Sequence, residues 1–323
     1  TFEHQGSSKT RTTEMFYDGY YTWKFRFTGT KTGTWTFTTS SDDPELDDLS
    51  GSVDGASHSN SNAYGFTKKS SIDLNKWARE KGSPGQEESF VPQLVMWRAL
   101  ENVTGDSVVI NQDVQTFFDG HGFNGFHVPL KPSVWLDSNN NPDPAFFEDI
   151  ENVVTIVHNN AGHVHLWNWG DAERGWIPPG GINSPTHKRL QRYLAARLGP
   201  LPGWSAGFGF DLDEWVTESQ LHAWRDHLQG KMGWFHFLGG RPAGPNSGTD
   251  HSPWNSWNSG VDYSSWEHHE PTYDVYRAAI TEIAGQPVIS EDRFRVTDGG
   301  AGKDYTNGQT RRGLYISTMA GGI

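Results

Sequence analysis

The chain has 323 residues, with 26 lysines and arginines against 39 aspartates and glutamates, and the net charge of −13 argues against nucleic acid or an anionic membrane surface as the main partner. The absence of cysteine excludes disulfide bonds, cysteine-ligated metals and thiol catalysis. Hydrophobic content is only 34%, yet 15 tryptophans, 18 phenylalanines and 10 tyrosines indicate a folded chain, because disordered segments are poor in aromatic residues.

The first fifty or so residues predict β structure. Aromatic and polar residues alternate over residues 21–27 and 34–38, and Gly29 and Gly33 lie between the two runs, which predicts a hairpin. The aromatic residues on its expected buried face are Trp23, Phe25, Phe27, Trp35 and Phe37. Because two strands are not stable alone, we expect a small β-sandwich over residues 1–65, followed by a linker over residues 66–89.

From residue 90 onward, short apolar strands alternate with helical segments, which is typical of an α/β protein with a parallel sheet. The predicted strands cover residues 91–97, 122–128, 163–169, 204–212, 234–238, 261–264 and 286–291. The predicted helices cover residues 113–120, 144–160, 185–198, 218–229, 272–284 and 310–323. About seven strands favour a (β/α)8 TIM barrel over residues 90–323, and we expect its eighth strand to follow the last residue.

The fourth predicted strand ends in acidic residues, at the end of a barrel strand where active sites lie. It reads Gly207-Phe208-Gly209-Phe210-Asp211-Leu212-Asp213-Glu214-Trp215. Alternation would turn the apolar side chains toward the helices and Asp211 and Asp213 toward the barrel axis. Three carboxylates within four residues repel one another, which stability alone would not favour. The structural alternative is that they cap the next helix or pair with Arg225.

The seventh predicted strand ends at Glu291, and Arg293 and Arg295 follow it. Nearby cations would keep the carboxylate ionised and nucleophilic, unless Glu291 only forms an ion pair with one of them. Carboxylates on strands four and seven would face each other across the barrel mouth, as glycosidic cleavage requires. A separation of about 5 Å would indicate retention of configuration, and one of roughly 6.5–9.5 Å would indicate inversion.

Sugar-binding candidates come from the third predicted strand and from later loops. His165, Trp167 and Trp169 should point inward, where indole faces would stack on sugars or, as the structural alternative, fill the barrel. The residues 239–260 form a loop too long for a simple connection, which suggests a substrate-binding wall. The other candidates for substrate binding are Asp171, Arg174, Arg241, His251, Trp257, His268 and Arg293. Because the histidines lack metal-ligand spacing, we expect no metal site and no cofactor.

Four runs near the N-terminus form a pattern: Phe16-Tyr17-Asp18-Gly19, Trp23-Lys24-Phe25-Arg26-Phe27, residues 33–41 and Leu49-Ser50-Gly51. Over about residues 1–56 they resemble the small N-terminal β-sandwich of a family of bacterial polysaccharide hydrolases. In that family the sandwich precedes a glycoside hydrolase (β/α)8 barrel, and further strands come before the matching segment. The resemblance therefore implies that the β-sandwich of this chain is incomplete.

The remainder of the chain resembles the barrel of the large clan of retaining glycoside hydrolases. There the acid/base glutamate ends the fourth strand, usually after asparagine, and the nucleophilic glutamate ends the seventh. The resemblance implies Glu214 as the acid/base and Glu291, in Pro-Val-Ile-Ser-Glu, as the nucleophile. Asp213 stands where the clan has asparagine, so Asp213 and Asp211 are alternative acids.

These features predict a secreted or cell-surface enzyme that cleaves a polysaccharide or oligosaccharide with retention, with no nucleic acid partner and no membrane span. A non-catalytic carbohydrate-binding or structural surface protein would also fit the tryptophan content and the acidity. A polysaccharide lyase would instead need a tyrosine or histidine base and a basic subsite. An incomplete sandwich would expose a strand edge, so we expect a covering segment or self-assembly there.

Overall fold

A computed structural model describes residues 1–81, 85–98, 102–170, 172, 175–241, 257, 259–267, 272–282, 285–291 and 306–320. The strands are β1 Phe2–His4, β2 Thr10–Arg11, β3 Phe16–Tyr17, β4 Trp23–Lys24, β5 Gly33–Thr38, β6 Ser50–Gly55, β7 Thr67–Lys69, β8 Trp77–Glu80, β9 Glu87–Phe90, β10 Leu94–Met96, β11 Gly125–Pro129, β12 His163–Trp167, β13 Trp204–Gly207, β14 Leu238–Gly239, β15 Ser264–Glu267 and β16 Val288–Glu291. The helices are α1 Ser107–Val114, α2 Pro132–Trp135, α3 Pro144–Asn159, α4 Pro185–Leu198, α5 Glu218–Lys231, α6 Tyr273–Glu282 and α7 Asn307–Ala320. A π-helical turn, Gln115–Asp119, extends α1, and a 3₁₀ turn spans Leu212–Glu214.

The N-terminal part forms a four-stranded antiparallel sheet in the order β2-β1-β5-β6. The predicted hairpin is wrong, because β5 pairs with β1 and β6, whereas β4 pairs with β3. Alternation identifies which side chains face a core, but it does not identify the partner strand. The β-sandwich over residues 1–65 stays a prediction.

The aromatic residues of the predicted hairpin nevertheless pack together, with one exception. The rings of Phe25 and Phe37 lie 5.1 Å apart, and those of Phe27 and Trp35 lie 5.0 Å apart, between ring centroids. Trp35 is fully buried, whereas Trp23 is 56% exposed. Four of the five predicted aromatic residues therefore form one cluster on the sheet, and Trp23 lies outside it.

A buried arginine joins this N-terminal part to the helices. Arg197 on α4 is 2% exposed, its Nη2 lies 3.0 Å from Asp18, and its Nε binds Glu151 on α3. Arg26 donates to Glu151 at 2.7 Å and to the carbonyl of Arg197 at 2.6 Å. Since buried charges need partners, this network fixes the N-terminal part against α3 and α4.

Residues 66–89, predicted as a linker, contain β7, β8 and all of β9 except its last residue, and these three strands form an antiparallel sheet. Trp77 on β8 is fully buried, and its ring lies 4.3 Å from that of Phe237 and 5.5 Å from that of Tyr263. Ile289 on β16 belongs to the same buried cluster. The segment therefore packs over the amino-terminal ends of several parallel strands, although the predicted domain boundaries themselves stay predictions.

Strands β10 to β14 form a parallel sheet in chain order, and β15 and β16 form a second parallel pair. The amide of Asp262, just before β15, donates to the carbonyl of Leu238 on β14 at 2.8 Å. Because residues from β12, β16 and the starts of β14 and β15 meet around Trp77, the two sheets curve about a common axis. This mixed α/β arrangement suits a (β/α)8 barrel, although the strands in the described ranges do not close into one hydrogen-bonded ring.

The helices pack on the outer face of the parallel sheet, where Val164 and Leu166 belong to the main core. Helix α4 has the predicted bounds, because Ser184 caps it by accepting from the amide of His187 and Pro185 occupies its first turn. Within the described ranges, no helix is both long enough and apolar enough to cross a membrane.

Candidate functional site

The fourth parallel strand ends earlier than its sequence pattern predicts. Strand β13 stops at Gly207, Asp211 has a left-handed backbone with φ of 50°, and the acidic residues that follow lie on the 3₁₀ turn. Aspartate tolerates the left-handed region better than most residues. The predicted alternation through this segment is therefore wrong: Phe208 packs on Trp224 at 5.0 Å, whereas Phe210 lies 4.9 Å from Trp167, between ring centroids.

Backbone hydrogen bonds hold the acidic segment against the chain that follows β14. The amide of Phe208 donates to the carbonyl of Gly239 at 2.7 Å, and the amide of Arg241 donates to that of Gly209 at 3.1 Å. The amide of Leu212 then donates to the carbonyl of Arg241 at 3.1 Å. The two strand ends thus remain paired after regular β structure has ended, which fixes the turn that carries the carboxylates.

Arg241 lies inside this corner of the molecule. It is 2% exposed, and its Nη2 is 3.3 Å from Oδ1 of Asp211. The guanidinium carbon lies 5.4 Å from the ring centroid of Trp167 and 5.5 Å from that of Phe210, within range of cation–π attraction. The structure therefore gives the predicted residues Asp211, Trp167 and Arg241 one common site.

Asp213 and Glu214 are both exposed on the 3₁₀ turn. The next residue, Trp215, stacks on Phe208 at 5.5 Å, and its Nε1 donates to the carbonyl of Phe210 at 3.3 Å. A cleft of about 250 Å³ adjoins this indole, and its lining residues are Ile177, Pro178, Gly181, Ile182, Trp215 and Gln220. The two candidate acids therefore directly precede, in the chain, the tryptophan that lines this cleft.

The interior orientation predicted for His165 and Trp167 is confirmed. The Trp167 ring is 4.1 Å from that of His127 on β11, and a Cβ at Gly207 would lie only 2.8 Å from Cδ1 of Trp167. His165 is fully buried, with Nδ1 2.8 Å from Ser205 Oγ and Nε2 3.3 Å from the Tyr263 hydroxyl. Protein groups thus lie within hydrogen-bond distance of both ring nitrogens, and the assignment of His165 to substrate binding stays a prediction.

Burial keeps these interior histidines neutral. It lowers the pKa of His165 to about 3. The pKa of His127 also lies well below its usual range because of burial, with smaller contributions from His165 and the cation of Arg241. The Ser205 hydroxyl lies 2.8 Å from both His163 Nε2 and His165 Nδ1, and it can donate to one ring while accepting from the other.

The prediction that Trp169 lines the barrel interior is wrong. Its indole is 1% exposed, belongs to the main core and lies 5.5 Å from His187 on α4. The consecutive amides of Asn168 and Trp169 donate to the consecutive carbonyls of Gly207 and Phe208, each at 3.0 Å. This irregularity breaks the strand alternation directly after Trp167 and turns the next indole toward the helices.

The remaining predicted site residues have different outcomes. Trp257 is partly buried against the main core, and its carbonyl accepts from Nε2 of His222 on α5 at 2.8 Å. Glu291 ends β16 as predicted and is in register with Glu267 on β15. Its side chain lies outside what the structure describes, so its separation from Glu214 stays a prediction. Five predicted site residues lie outside the part of the chain that the structure describes: Asp171, Arg174, His251, His268 and Arg293.

Sequence reasoning missed three aromatic residues around the site. Phe210 was expected to face the helices, but it packs on Trp167 and contacts Arg241. Trp176 is partly exposed 6.4 Å from Phe210, and Tyr263 fills the interior where a Cβ at Gly239 would lie 2.6 Å from its ring. The glycines at interior positions of neighbouring strands were the available signal, because they leave room for large rings. Among the described residues, no three histidine, aspartate or glutamate side chains are grouped to hold a metal ion.

Residues 1–42 match a family model described as a domain of unknown function, DUF5060. The search of curated proteins gave no match. Among solved structures, the chain is similar to a provisionally assigned glycoside hydrolase from Bacteroides vulgatus ATCC 8482, with 16% identity and a TM-score of 0.68 over 89% of this chain and 58% of that chain. A glycoside hydrolase family 5 structure from the same organism has 13% identity and a TM-score of 0.55 over 80% of this chain and 60% of that chain.

A third similar structure is the endo-1,4-beta-mannanase from Rhizomucor miehei, with 13% identity and a TM-score of 0.50 over 72% of this chain and 83% of that chain. At these identities the likeness shows a shared fold. The chain spans about three fifths of the length of the two Bacteroides proteins. The parallel-strand part of the molecule therefore has the fold on which these glycoside hydrolases are built.

Proposed function

We propose that this chain is part of a glycoside hydrolase with a (β/α)8 barrel and acts on a polysaccharide or oligosaccharide with retention of configuration. The observation that carries the proposal is the exposed turn with Asp213 and Glu214, which follows the fourth parallel strand beside the buried Trp167 and Arg241 site. The fold of the chain, which is shared with the similar glycoside hydrolases, supports the same function. Secretion or attachment to a cell surface, where polysaccharides occur, is part of the proposal.

Glu214 is the proposed general acid and base. It is exposed on the turn, so a leaving-group oxygen can reach it, and the backbone bonds between the two strand ends hold the turn in place. Asp211 is a weaker candidate, because its carboxylate lies against Arg241. Asp213, next to Glu214 on the same turn, remains the alternative acid. The acid protonates the glycosidic oxygen in the first step and takes a proton from water in the second.

Glu291 is the proposed nucleophile. It ends the seventh parallel strand in chain order, and alternation assigns residue 291 to the same strand face as Ile289, whose side chain joins the interior cluster around Trp77. In a retaining mechanism its carboxylate attacks the anomeric carbon as the leaving oxygen departs, and a covalent glycosyl ester forms. Water then breaks that ester and restores the carboxylate.

Aromatic surfaces near the turn are the proposed sugar-binding groups. Trp167 and Phe210 are buried side by side next to Arg241, and Trp176, 6.4 Å from Phe210, is the partly exposed ring of this group that a sugar can reach. The cleft is lined by Trp215, the residue that follows Glu214, and it is the proposed site for the leaving-group sugar. Pocket walls that combine apolar rings with a few polar groups are typical of small-ligand sites.

The test is hydrolysis of a panel of polysaccharides and aryl glycosides by the unaltered chain and by two variants. We expect Glu291→Gln to abolish release of reducing ends while oligosaccharide binding, measured by calorimetry, is kept. Glu218→Gln on α5 is the matched control and should retain full activity. The anomer formed first, observed by proton NMR, should have the configuration of the substrate. Substantial hydrolysis by Glu291→Gln, or an inverted first product, would exclude the proposed mechanism.

A further inference from the structure

A small cavity of about 10 Å³ lies between the end of β12 and helices α4 and α5. Asn168 lines it from the strand end, Gln191 from α4 and Trp224 from α5. These side chains are 4%, 3% and 0% exposed. A volume of this size is at the lower limit of what one water molecule requires, and it excludes any larger ligand.

Three polar atoms on these side chains have no hydrogen-bond partner within the described part of the chain: Asn168 Oδ1, Gln191 Oε1 and Trp224 Nε1. Buried polar groups in native proteins are almost always satisfied by protein or by ordered water, because leaving them unpaired is costly. A single unpaired atom has many local explanations. Three of them around one cavity, from three separate elements, indicate a common polar ligand.

His187 on α4 determines which way the Gln191 amide points. His187 Nδ1 accepts from the backbone amide of Asn183 at 3.1 Å, so the proton of the neutral ring is on Nε2. Burial lowers the pKa of His187 to about 3, which keeps the ring neutral at ordinary pH. The Gln191 amide lies 2.9 Å from Nε2. An Nε2–H donor requires the amide oxygen there, and a half-turn of the amide then directs its NH2 group into the cavity.

We propose that the cavity is a binding site for one structural water molecule. The water accepts hydrogen bonds from Trp224 Nε1–H and from the Gln191 NH2 group, and it donates one to Asn168 Oδ1. These three bonds are the usual number for a buried water. The backbone carbonyl of Asn168 already accepts a hydrogen bond from Trp135 Nε1 at 2.8 Å. The water would therefore add α4 and α5 to the groups that fix this strand end, directly after Trp167.

A crystal structure of the unaltered chain at a resolution that shows ordered solvent is the direct test. We expect one well-ordered water at hydrogen-bond distance from all three side chains, with a temperature factor similar to theirs. Continuous protein density that fills the space, or a cavity that is dry in such a map, would overturn the proposal. The test does not depend on activity, so its outcome is separate from that of the proposed function.

A solution test uses the indole proton of Trp224. Although this indole is fully buried, we expect a nuclear Overhauser effect between its Nε1–H and a long-lived water. Trp35 is the matched control, since it is equally buried and its Nε1 donates to the carbonyl of Lys31 at 3.0 Å, so it should give no such signal. The variant Gln191→Met replaces the amide by an apolar chain of similar length and should abolish the Trp224 signal. Equal signals from both indoles, or none from Trp224, would contradict the proposal.

Discussion

The Arg241 guanidinium lies 3.3 Å from the carboxylate of Asp211, and the two residues belong to segments that follow neighbouring strands, β14 and β13. The arginine is almost completely buried, whereas the side chain of Asp211 is 29% exposed. The pair therefore links two strand ends at the border between interior and solvent, directly beneath the turn that carries the candidate acids.

Replacing Arg241 by methionine should destabilise the protein by about 2–3 kcal/mol, somewhat less than a fully buried pair loses, because solvent reaches Asp211. The measurement is the free energy of unfolding in urea. Arg98→Met is the control, since Arg98 is 37% exposed where it pairs with Asp113, and this variant should lose less than about 1 kcal/mol. Equal losses in the two variants would show that Arg241 is not a structural anchor.

Substitutions at the acidic turn should identify the proton donor. Glu214→Gln should lower kcat on natural glycosides by roughly 10²–10⁴-fold, the usual contribution of a general acid. On an aryl glycoside whose leaving group needs no protonation, the same substitution should slow formation of the glycosyl-enzyme much less. Asp213→Asn should then give a smaller loss on natural glycosides. If Asp213→Asn has the larger leaving-group-dependent effect, Asp213 is the acid.

The buried histidines should make the protein less stable in acid. The pKa values of His165 and His187 in the folded protein are lowered to about 3 by burial, against about 6.5 in an unfolded chain. As pH falls from 6.5 toward 3, the unfolded chain binds protons that the folded chain does not. The free energy of unfolding should therefore fall by up to about 1.4 kcal/mol per pH unit for each such histidine.

Urea unfolding at intervals between pH 7 and pH 4.5 measures this dependence. The variant His165→Gln can still bond to Ser205 but cannot titrate, so its stability should fall less steeply with pH than that of the unaltered chain. Parallel slopes for the two proteins would show that His165 is not held neutral by burial.

Glycines inside the barrel should tolerate no side chain. A Cβ at position 239 would lie 2.6 Å from Cζ of Tyr263, so Gly239→Ala should cost about 1–3 kcal/mol as overpacking does. Gly230 in α5 is the control, because a Cβ there would meet nothing within 4 Å. Gly230→Ala should stabilise the helix by about 0.5–1 kcal/mol. A neutral Gly239→Ala would mean that the Tyr263 ring can move aside.

The N-terminal part should depend on Arg197 for its attachment. The variant Arg197→Met leaves Asp18 and Glu151 without this partner, and we expect a loss of about 3 kcal/mol. Limited proteolysis should then cut the N-terminal part before the rest of the chain unfolds. Arg192→Met is the matched control on the same helix, because its side chain is 57% exposed and pairs with Glu14. Similar proteolysis of both variants would contradict this role.

Sequence alone predicted the elements whose signals are local. Helix α4 has its capping serine, its first-turn proline and its apolar stripe within the helix itself, and its bounds agree with the prediction. The order of the parallel strands follows from repeated strand–helix units, and Glu291 ends its strand as expected. These features depend on residues that are neighbours in the chain.

The errors arise where strand geometry becomes irregular. Regular structure in the fourth strand ends at Gly207, before Phe210, and consecutive amide bonds after Trp167 end the alternation of the third. Each event reverses the expected direction of an aromatic ring, Phe210 in one case and Trp169 in the other. Local propensity cannot locate such events, because they depend on hydrogen bonds to a neighbouring strand.

Long-range partners were also beyond the sequence patterns. Nothing near Trp77 indicates that it lies under four parallel strands, because the residues of those strands that it contacts are 86 to 212 positions away in the chain. Likewise, β5 has two strand partners that alternation could not select.

The position of Trp77 also limits where a ligand can enter the barrel part. This indole and the sheet β7-β8-β9 cover the amino-terminal strand ends of the described barrel part. If the proposed function is right, a glycan would therefore bind and its products would leave at the opposite end, where the strands have their carboxyl ends.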